Sequence, residues 1–225
     1  MRYNERMKPL YEDDEILICE KSAGMATESA NIREKDLVSA VRNYLDGNYV
    51  GLVHRLDQPV SGLLVFAKTP EAAAKLSRQV QTSDMGKSYL ATVEGKLDAA
   101  ASPVVLSDYL IKDAKKKMAL VVEEHTKDAN GKEAKQARLS YEVLSYDPLT
   151  DTTELKIDLL TGRFHQIRAQ LSHLGHPILR DVKYGAKKPA DPEGSAGIAL
   201  CAYSLSFHHP KTGEEMHFQI PNRSL

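Results

Sequence analysis

The stretch GLVHRLDQPVSGLLVFAKT, Gly51 to Thr69, sets a charged insert between two apolar runs. Gly51 to Leu56 and Gly62 to Ala67 read as apolar strands. Between them stand His54, Arg55, Asp57, Gln58, Pro59 and Ser61. Asp57 follows a strand, and Pro59 and Gly62 punctuate the chain after it, so its carboxylate is expected at a turn beside a sheet end. Such a carboxylate can simply accept backbone N–H groups in an Asx-turn. It can also face a cleft and react. The stretch alone leaves both readings open.

Working outward, further strands are expected at Glu15–Glu20, Ser88–Glu94, Met118–Val122, Ala137–Tyr146, Thr153–Leu159, Ile198–Phe207 and Met216–Ile220. Segments such as TELKIDL and ARLSYEVLSY alternate apolar and polar residues, the pattern of half-buried antiparallel strands. Helices are fewer. DLVSAVRNYLDG has Asp36 to cap it and Gly47 to stop it; TPEAAAKLSRQVQ has Thr69 as cap, Pro70 in the first turn and Glu71 at the positive end of the dipole. FHQIRAQLSHLGHP puts Ile167, Leu171 and Leu174 on one face and ends at Gly175 and Pro177. This order predicts a mixed α+β fold: a mainly antiparallel sheet core with flanking helices and loops, not regular βαβ alternation. Two segments, the charged one from Asp113 to Gln136 that flanks a short strand and the Gly/Pro/Lys-rich one from Lys183 to Gly197, are expected as surface loops or as substrate-clasping ones.

The 225 residues, 42% hydrophobic and 27% charged, suit a globular chain with a sizeable core. A formal net charge of -1 means that any polyanion site must be a local basic patch. Cys19 and Cys201 both sit in apolar runs and are expected as buried, reduced thiols, which fits a cytoplasmic protein. The first ten residues lack the apolar core of a signal peptide, and no apolar run approaches the roughly 18 residues of a membrane helix. His165, His173 and His176 have no Cys or Glu at a usual zinc spacing, so no metal is expected. HRLD differs in order from the kinase HRDL and no Gly-rich phosphate loop accompanies it, which excludes a kinase.

Two further clusters carry chemistry. LLTGRFHQIRAQLSHLGHPILRDVKYG, Leu159 to Gly185, places Arg163 after a strand and just ahead of a helix, where a guanidinium can hold a carboxylate ionised or form an ordinary surface ion pair. GKSYLATVEG puts Tyr89 on a strand face with Ala91 and Val93, as a core tyrosine also would be.

Together the clusters are more specific. HRLDQPVSGLLVFAK resembles the catalytic motif of the RluA-type pseudouridine synthases, KSYLATVEG resembles their tyrosine motif, and TGRFHQIRAQLSHLGHPILRDVKYG is similar to their third motif. LYEDDEILICEKSAGMATES and IALCAYSLSFHHPKTGEEMHFQIP resemble the opening and closing strands of the same domain. The resemblance runs from about residue 9 to the end, with Val60 where a threonine is usual and Ser22 where a proline is common. It implies two halves with a catalytic cleft between them and a single catalytic domain over 1–225 (core about 9–221); the extra N-terminal RNA-binding domain of many members has no room here, so no separate one is expected. It implies isomerisation of uridine in ribosomal or transfer RNA, no cofactor, and a monomer with RNA as its partner. Asp57 would be the nucleophile, or a base on the sugar; Arg163 its ionic partner; Tyr89 the ring on the target base. Arg55 would fill the space of a flipped base. His54, Lys87, His165, Arg168, Arg180 and Lys183 would complete substrate binding. A non-catalytic RNA-binding protein on the same scaffold is the alternative.

Overall fold

A computed structural model describes residues 7–30, 36–187 and 197–221. The described chain divides into two compact units. The first takes the residues up to Lys87, Gly197 and those from Cys201 onward; the second takes Ser88 to Lys187 and Ile198–Leu200.

In the first unit the strands are β1 (Met7–Glu12), β2 (Ile16–Lys21), β3 (Gly51–Leu52), β4 (Ser61–Ala67), β10 (Leu200–His208, in this unit from Cys201) and β11 (Glu215–Gln219), with helices α1 (Leu37–Tyr44) and α2 (Pro70–Thr82). They order as β1-β2-β4-β10-β11. The apolar run of the decisive stretch is the centre of this sheet. β4 is buried along its whole length, antiparallel to β2 on one edge. Its other edge pairs in parallel with β10 at Ser61 and Gly62, then with β3 at Phe66 and Ala67. Gly62 is required by this parallel contact: at φ 129° a Cβ would lie 2.3 Å from the Ala202 carbonyl oxygen. Helix α2 starts as its sequence predicts, the Thr69 side chain accepting from Ala72 N at 3.1 Å. It buries Ala72 and Leu76 in a core with Ile16, Ile18, Leu63, Val65 and Phe207. Full burial of Leu76 contributes about 1.5–3 kcal/mol.

The second unit holds β5 (Gly86–Glu94, in this unit from Ser88), β6 (Val104–Asp113), β7 (Met118–Val122), β8 (Lys135–Asp147), β9 (Thr152–Leu159), α3 (Gln166–His173) and a 3-10 turn at Val182–Tyr184. The order is β5-β9-β8-β6-β7, antiparallel throughout. α3 brings Ala169 into a small core with Leu110, Ala119, Ala137 and Tyr184.

The expected α+β class holds. Two local expectations change. The strand predicted over Gly51–Leu56 stops at Leu52, because the His54 ring takes a ladder role: Val65 N–H donates to its Nε2 at 3.3 Å. Strands β1 and β6 were not predicted; β6 shows only weak alternation, with one fully buried residue, Leu110. The lysines at 115–117 lie in a tight turn between β6 and β7, where Lys116 N donates to Asp113. Cys19 and Cys201 are buried thiols, not joined in a disulfide, as expected. Lys188, with the rest of residues 188–196, falls outside the described residues.

Candidate active site

In the first unit the insert forms a turn closed by Val60 N donating to the Asp57 carbonyl at 3.0 Å. The turn docks on a second one, Ser22–Met25. Gly24 N donates to the Gln58 carbonyl at 2.8 Å, and Gln58 Nε2 returns a bond to the Gly24 carbonyl at 3.2 Å. Thr27 Oγ1 brackets Leu56, donating to its carbonyl at 2.7 Å and accepting its N–H at 3.2 Å. The backbone on both sides of Asp57 is therefore pinned, so the fold and not a loop's average sets where its side chain starts.

At the join lies Lys21, which sequence reasoning passed over. Its position at the end of an apolar run reads as an ordinary lysine leaving the core. It is instead fully buried. Its Nζ spends all three donors on backbone carbonyls: Met25 at 2.7 Å, Ser22 at 3.1 Å and Gln58 at 3.2 Å. Burial pulls its pKa down to about 8, against the opposing pull of the Asp57 carboxylate. Lys21 thus ties the two turns together and places positive potential beside Asp57. In the unfolded chain it stays protonated to higher pH, so between pH 8 and 10.5 folding releases its proton. This group's contribution makes stability rise with pH across that window. In Lys21→Met that part of the rise is expected to vanish, read as the difference between the two proteins' urea midpoints from pH 7 to 10.5.

Arg55 is exposed, and its guanidinium pairs with the carboxylate of Glu28, also exposed. The Thr27–Leu56 bracket sets the two side by side. His54 is neutral: burial, then Lys87, lower its pKa to about 3, and the bond from Val65 leaves the proton on Nδ1. It supports the turn and cannot supply a proton near neutral pH. Lys87 is half-buried, with its pKa lowered by burial. Val60 is buried, so a hydroxyl there would need a partner that a methyl does not.

In the second unit, Tyr89 sits on β5 opposite Ile157 and is 6% exposed. Arg163 is exposed; its Nε donates to the Gln136 carbonyl at 2.9 Å, which orients the terminal nitrogens. Gln166, not predicted, fixes that turn. Its Oε1 accepts from Arg163 N and Thr161 Oγ1, and its Nε2 reaches the Arg138 carbonyl. Arg168 departs from expectation. It is buried, and its guanidinium makes two bonds to Asp181, at 2.7 and 2.8 Å, while lying over the Tyr184 ring. A guanidinium so buried and paired holds the fold together. His165 is drawn into the same cluster, bonded to Tyr184 Oη and Arg168. Lys183 is exposed.

Arg180 differs from Arg168 in its surroundings. Its backbone is left-handed, at φ 72°, an unfavourable conformation for a non-glycine residue. Its neighbours are committed: Leu179 N to Thr92 and Asp181 to Arg168. Its Nε–H is buried without a hydrogen-bond partner among the described residues, a costly state that an anionic acceptor would relieve.

Among the described residues, no group of three or more His, Cys, Asp and Glu is arranged to hold a metal ion, and no helix is long and apolar enough to cross a membrane. A cavity of about 340 Å³ bounded by Asp98, Pro103, Tyr141 and Glu142 holds none of the predicted residues, and its carboxylates do not suit a polyanion.

Comparison with known proteins decides the lineage of this arrangement. The RNA pseudouridylate synthase family pattern matches residues 15–173, from β2 through α3. The chain belongs to that family. It is 35% identical over 227 residues to the ribosomal large subunit pseudouridine synthase D of Nitrosomonas europaea, covering 96% of this chain and 62% of that protein. It is 32% identical over 217 residues to the ribosomal large subunit pseudouridine synthase C of Pasteurella multocida, covering 94% and 63%. An uncharacterized RNA pseudouridine synthase of Chlorobaculum parvum is 35% identical over 238 residues, with 94% and 69% covered. The chain thus spans less than two thirds of the length of the first two of these relatives. Among solved structures, Human RNA Pseudouridylate Synthase Domain Containing 1 superposes with a TM-score of 0.78 at 22% identity, covering 98% of this chain and 85% of that one. Human RNA Pseudouridylate Synthase Domain Containing 4 gives 0.73 at 20% identity, covering 95% and 87%. The pseudouridylate synthase fold is therefore shared, and the RluA-type resemblance of the motifs is borne out.

Proposed function

We propose that this chain is an RNA pseudouridine synthase with Asp57 as its nucleophile, acting on a uridine in structured RNA. The reaction breaks the bond from C1′ to N1 and forms one from C1′ to C5; the C5 proton is lost and N1 regains one. No outside group is consumed, so no cofactor is required. The observation that carries the reading is the Asp57 turn, docked on a second turn by a fully buried lysine. A turn that only ended a strand would need no such support, since burying an ammonium is costly.

The remaining roles follow the family motifs. Arg55 fills the stack once the uridine is extruded, because a guanidinium is planar, charged and stacks on bases. Tyr89 offers a ring to the detached uracil, and Arg163 is a cation of the site. The relatives' names, ribosomal large subunit pseudouridine synthases, support large-subunit ribosomal RNA as the substrate class. Chemical mapping of pseudouridine in ribosomal RNA from a deletion strain tests this. A site that vanishes and returns with the wild-type gene supports it. Binding of RNA with no isomerisation of any RNA class would favour a non-catalytic RNA-binding protein instead.

Arg180 provides a separate check. The left-handed penalty of roughly 1–2 kcal/mol exceeds the chain-entropy cost of glycine, roughly 0.5–1 kcal/mol. Arg180→Gly is expected to hold or raise the urea midpoint while weakening RNA binding about tenfold, the value of one charge-assisted hydrogen bond. A variant that loses both together would mean that Arg180 is structural.

A further inference from the structure

Phe164 lies between Arg163 and His165, and neither the motifs nor the relatives assign it a role. It is 39% exposed, a few residues past the end of β9. Consecutive residues ordinarily diverge, yet the Phe164 and His165 rings stack at 3.8 Å with only 19° between their planes. The left-handed backbone of His165, φ 51°, brings this about and leaves α3 without a side-chain cap.

The imidazole beneath is rigid. Arg168 can only donate, so His165 Nε2 accepts from its Nη1 at 3.2 Å, and Nδ1–H donates to Tyr184 Oη at 2.8 Å. Burial and the positive charge of Arg168 keep this ring neutral. Tyr184 Oη in turn accepts from Ala119 N at 2.7 Å. Ala119 faces Lys112 across the β6–β7 ladder, and the Lys112 ammonium lies 4.6 Å from the Phe164 ring centre. One network thus fixes the platform and the strand that supplies a cation above it.

We propose that Phe164 is a stacking platform for a nucleobase of single-stranded RNA, with Lys112 moving from the ring to a phosphate when the base arrives. This rests on reading the chain as an RNA-acting enzyme and adds a contact to a nucleotide other than the target. The exchange is favourable: a base stacked on an aromatic side chain strengthens binding about 5- to 150-fold, an exposed lysine–aromatic contact about 2- to 5-fold. The exposed cations Lys112, Arg163 and Arg138 belong to the same part of the chain: β8 carries Arg138, and its Gln136 carbonyl holds Arg163. That charge complements a nucleic-acid backbone.

The probe is a ten-nucleotide oligouridylate carrying one 2-aminopurine, whose fluorescence drops on stacking. Wild type and Phe164→Tyr should bind it with equal affinity and equal quenching. Phe164→Leu and Phe164→Ala should lose at least fivefold in affinity, and the quenching, with thermal midpoints near wild type. Lys112→Ala should lower the slope of log affinity against log salt by about 0.7, the share of one phosphate contact. Phe164→Leu binding and quenching within twofold of wild type would overturn the proposal, as would a loss in Phe164→Tyr equal to that in Phe164→Leu. Pseudouridine formation on ribosomal RNA is measured in parallel. Phe164-dependent quenching without any pseudouridine would sink the enzymatic reading and keep the platform; the reverse pattern would sink the platform alone.

Discussion

Asp57→Asn is expected to abolish pseudouridine formation while leaving the fold and RNA binding near wild type. The substitution keeps size and hydrogen-bonding capacity but removes the anionic oxygen that attacks the sugar or base. Removing one member of a catalytic set costs on the order of 10⁴- to 10⁶-fold. The turn should survive, because it is closed by the Asp57 carbonyl and held by the Gln58 carbonyl, neither of which changes. The Asp57 side chain also lowers the cost of burying Lys21, so a modest fall in stability is expected and is measured by urea unfolding. Restoration of the ribosomal RNA site at the wild-type level by a gene carrying Asp57→Asn would show that Asp57 is not the nucleophile.

Asp181→Ala is the largest expected loss of stability. It leaves the Arg168 guanidinium buried with no carboxylate, which costs about 3–5 kcal/mol. The effect should centre on the second unit, since Arg168 also lies over Tyr184, the residue whose hydroxyl receives Ala119 N. Amide exchange of β7 and α3 should accelerate with the fall in urea midpoint. The double variant Asp181→Leu with Arg168→Met removes both charges and should recover part of the loss, because an apolar pair has no charge to desolvate. If Asp181→Ala unfolded at the wild-type urea concentration, the pair would be idle and Arg168 would regain its claim on phosphate.

Much of the architecture was legible because it is local. The Thr69-Pro70-Glu71 start of α2, the unbroken apolar run of β4 and the alternation in β8 and β9 each state their environment within a few residues. The failures have separate causes. The strand expected to reach Leu56 ended early because a side chain, His54, substituted for a backbone partner, and nothing in local periodicity announces that. β6 was missed because it is half-exposed, and weak burial erases the alternation that identifies a strand.

The same division runs through the candidate site. The sequence by itself determined the family, through residues whose chemistry is rare in combination: a carboxylate in HRLD, a tyrosine on a strand and an arginine ahead of a helix. It could not say which cations are free, because a charge is spent or available according to what lies next to it in space. Arg168 and Arg180 are twelve positions apart in one motif and look alike in sequence. Only the tertiary structure decided that the first is consumed by Asp181, that the second keeps a buried donor unsatisfied, and that Lys21 stands under the Asp57 turn. Burial decides these outcomes: it multiplies the worth of a partner and the cost of lacking one, and burial is a property of the folded chain.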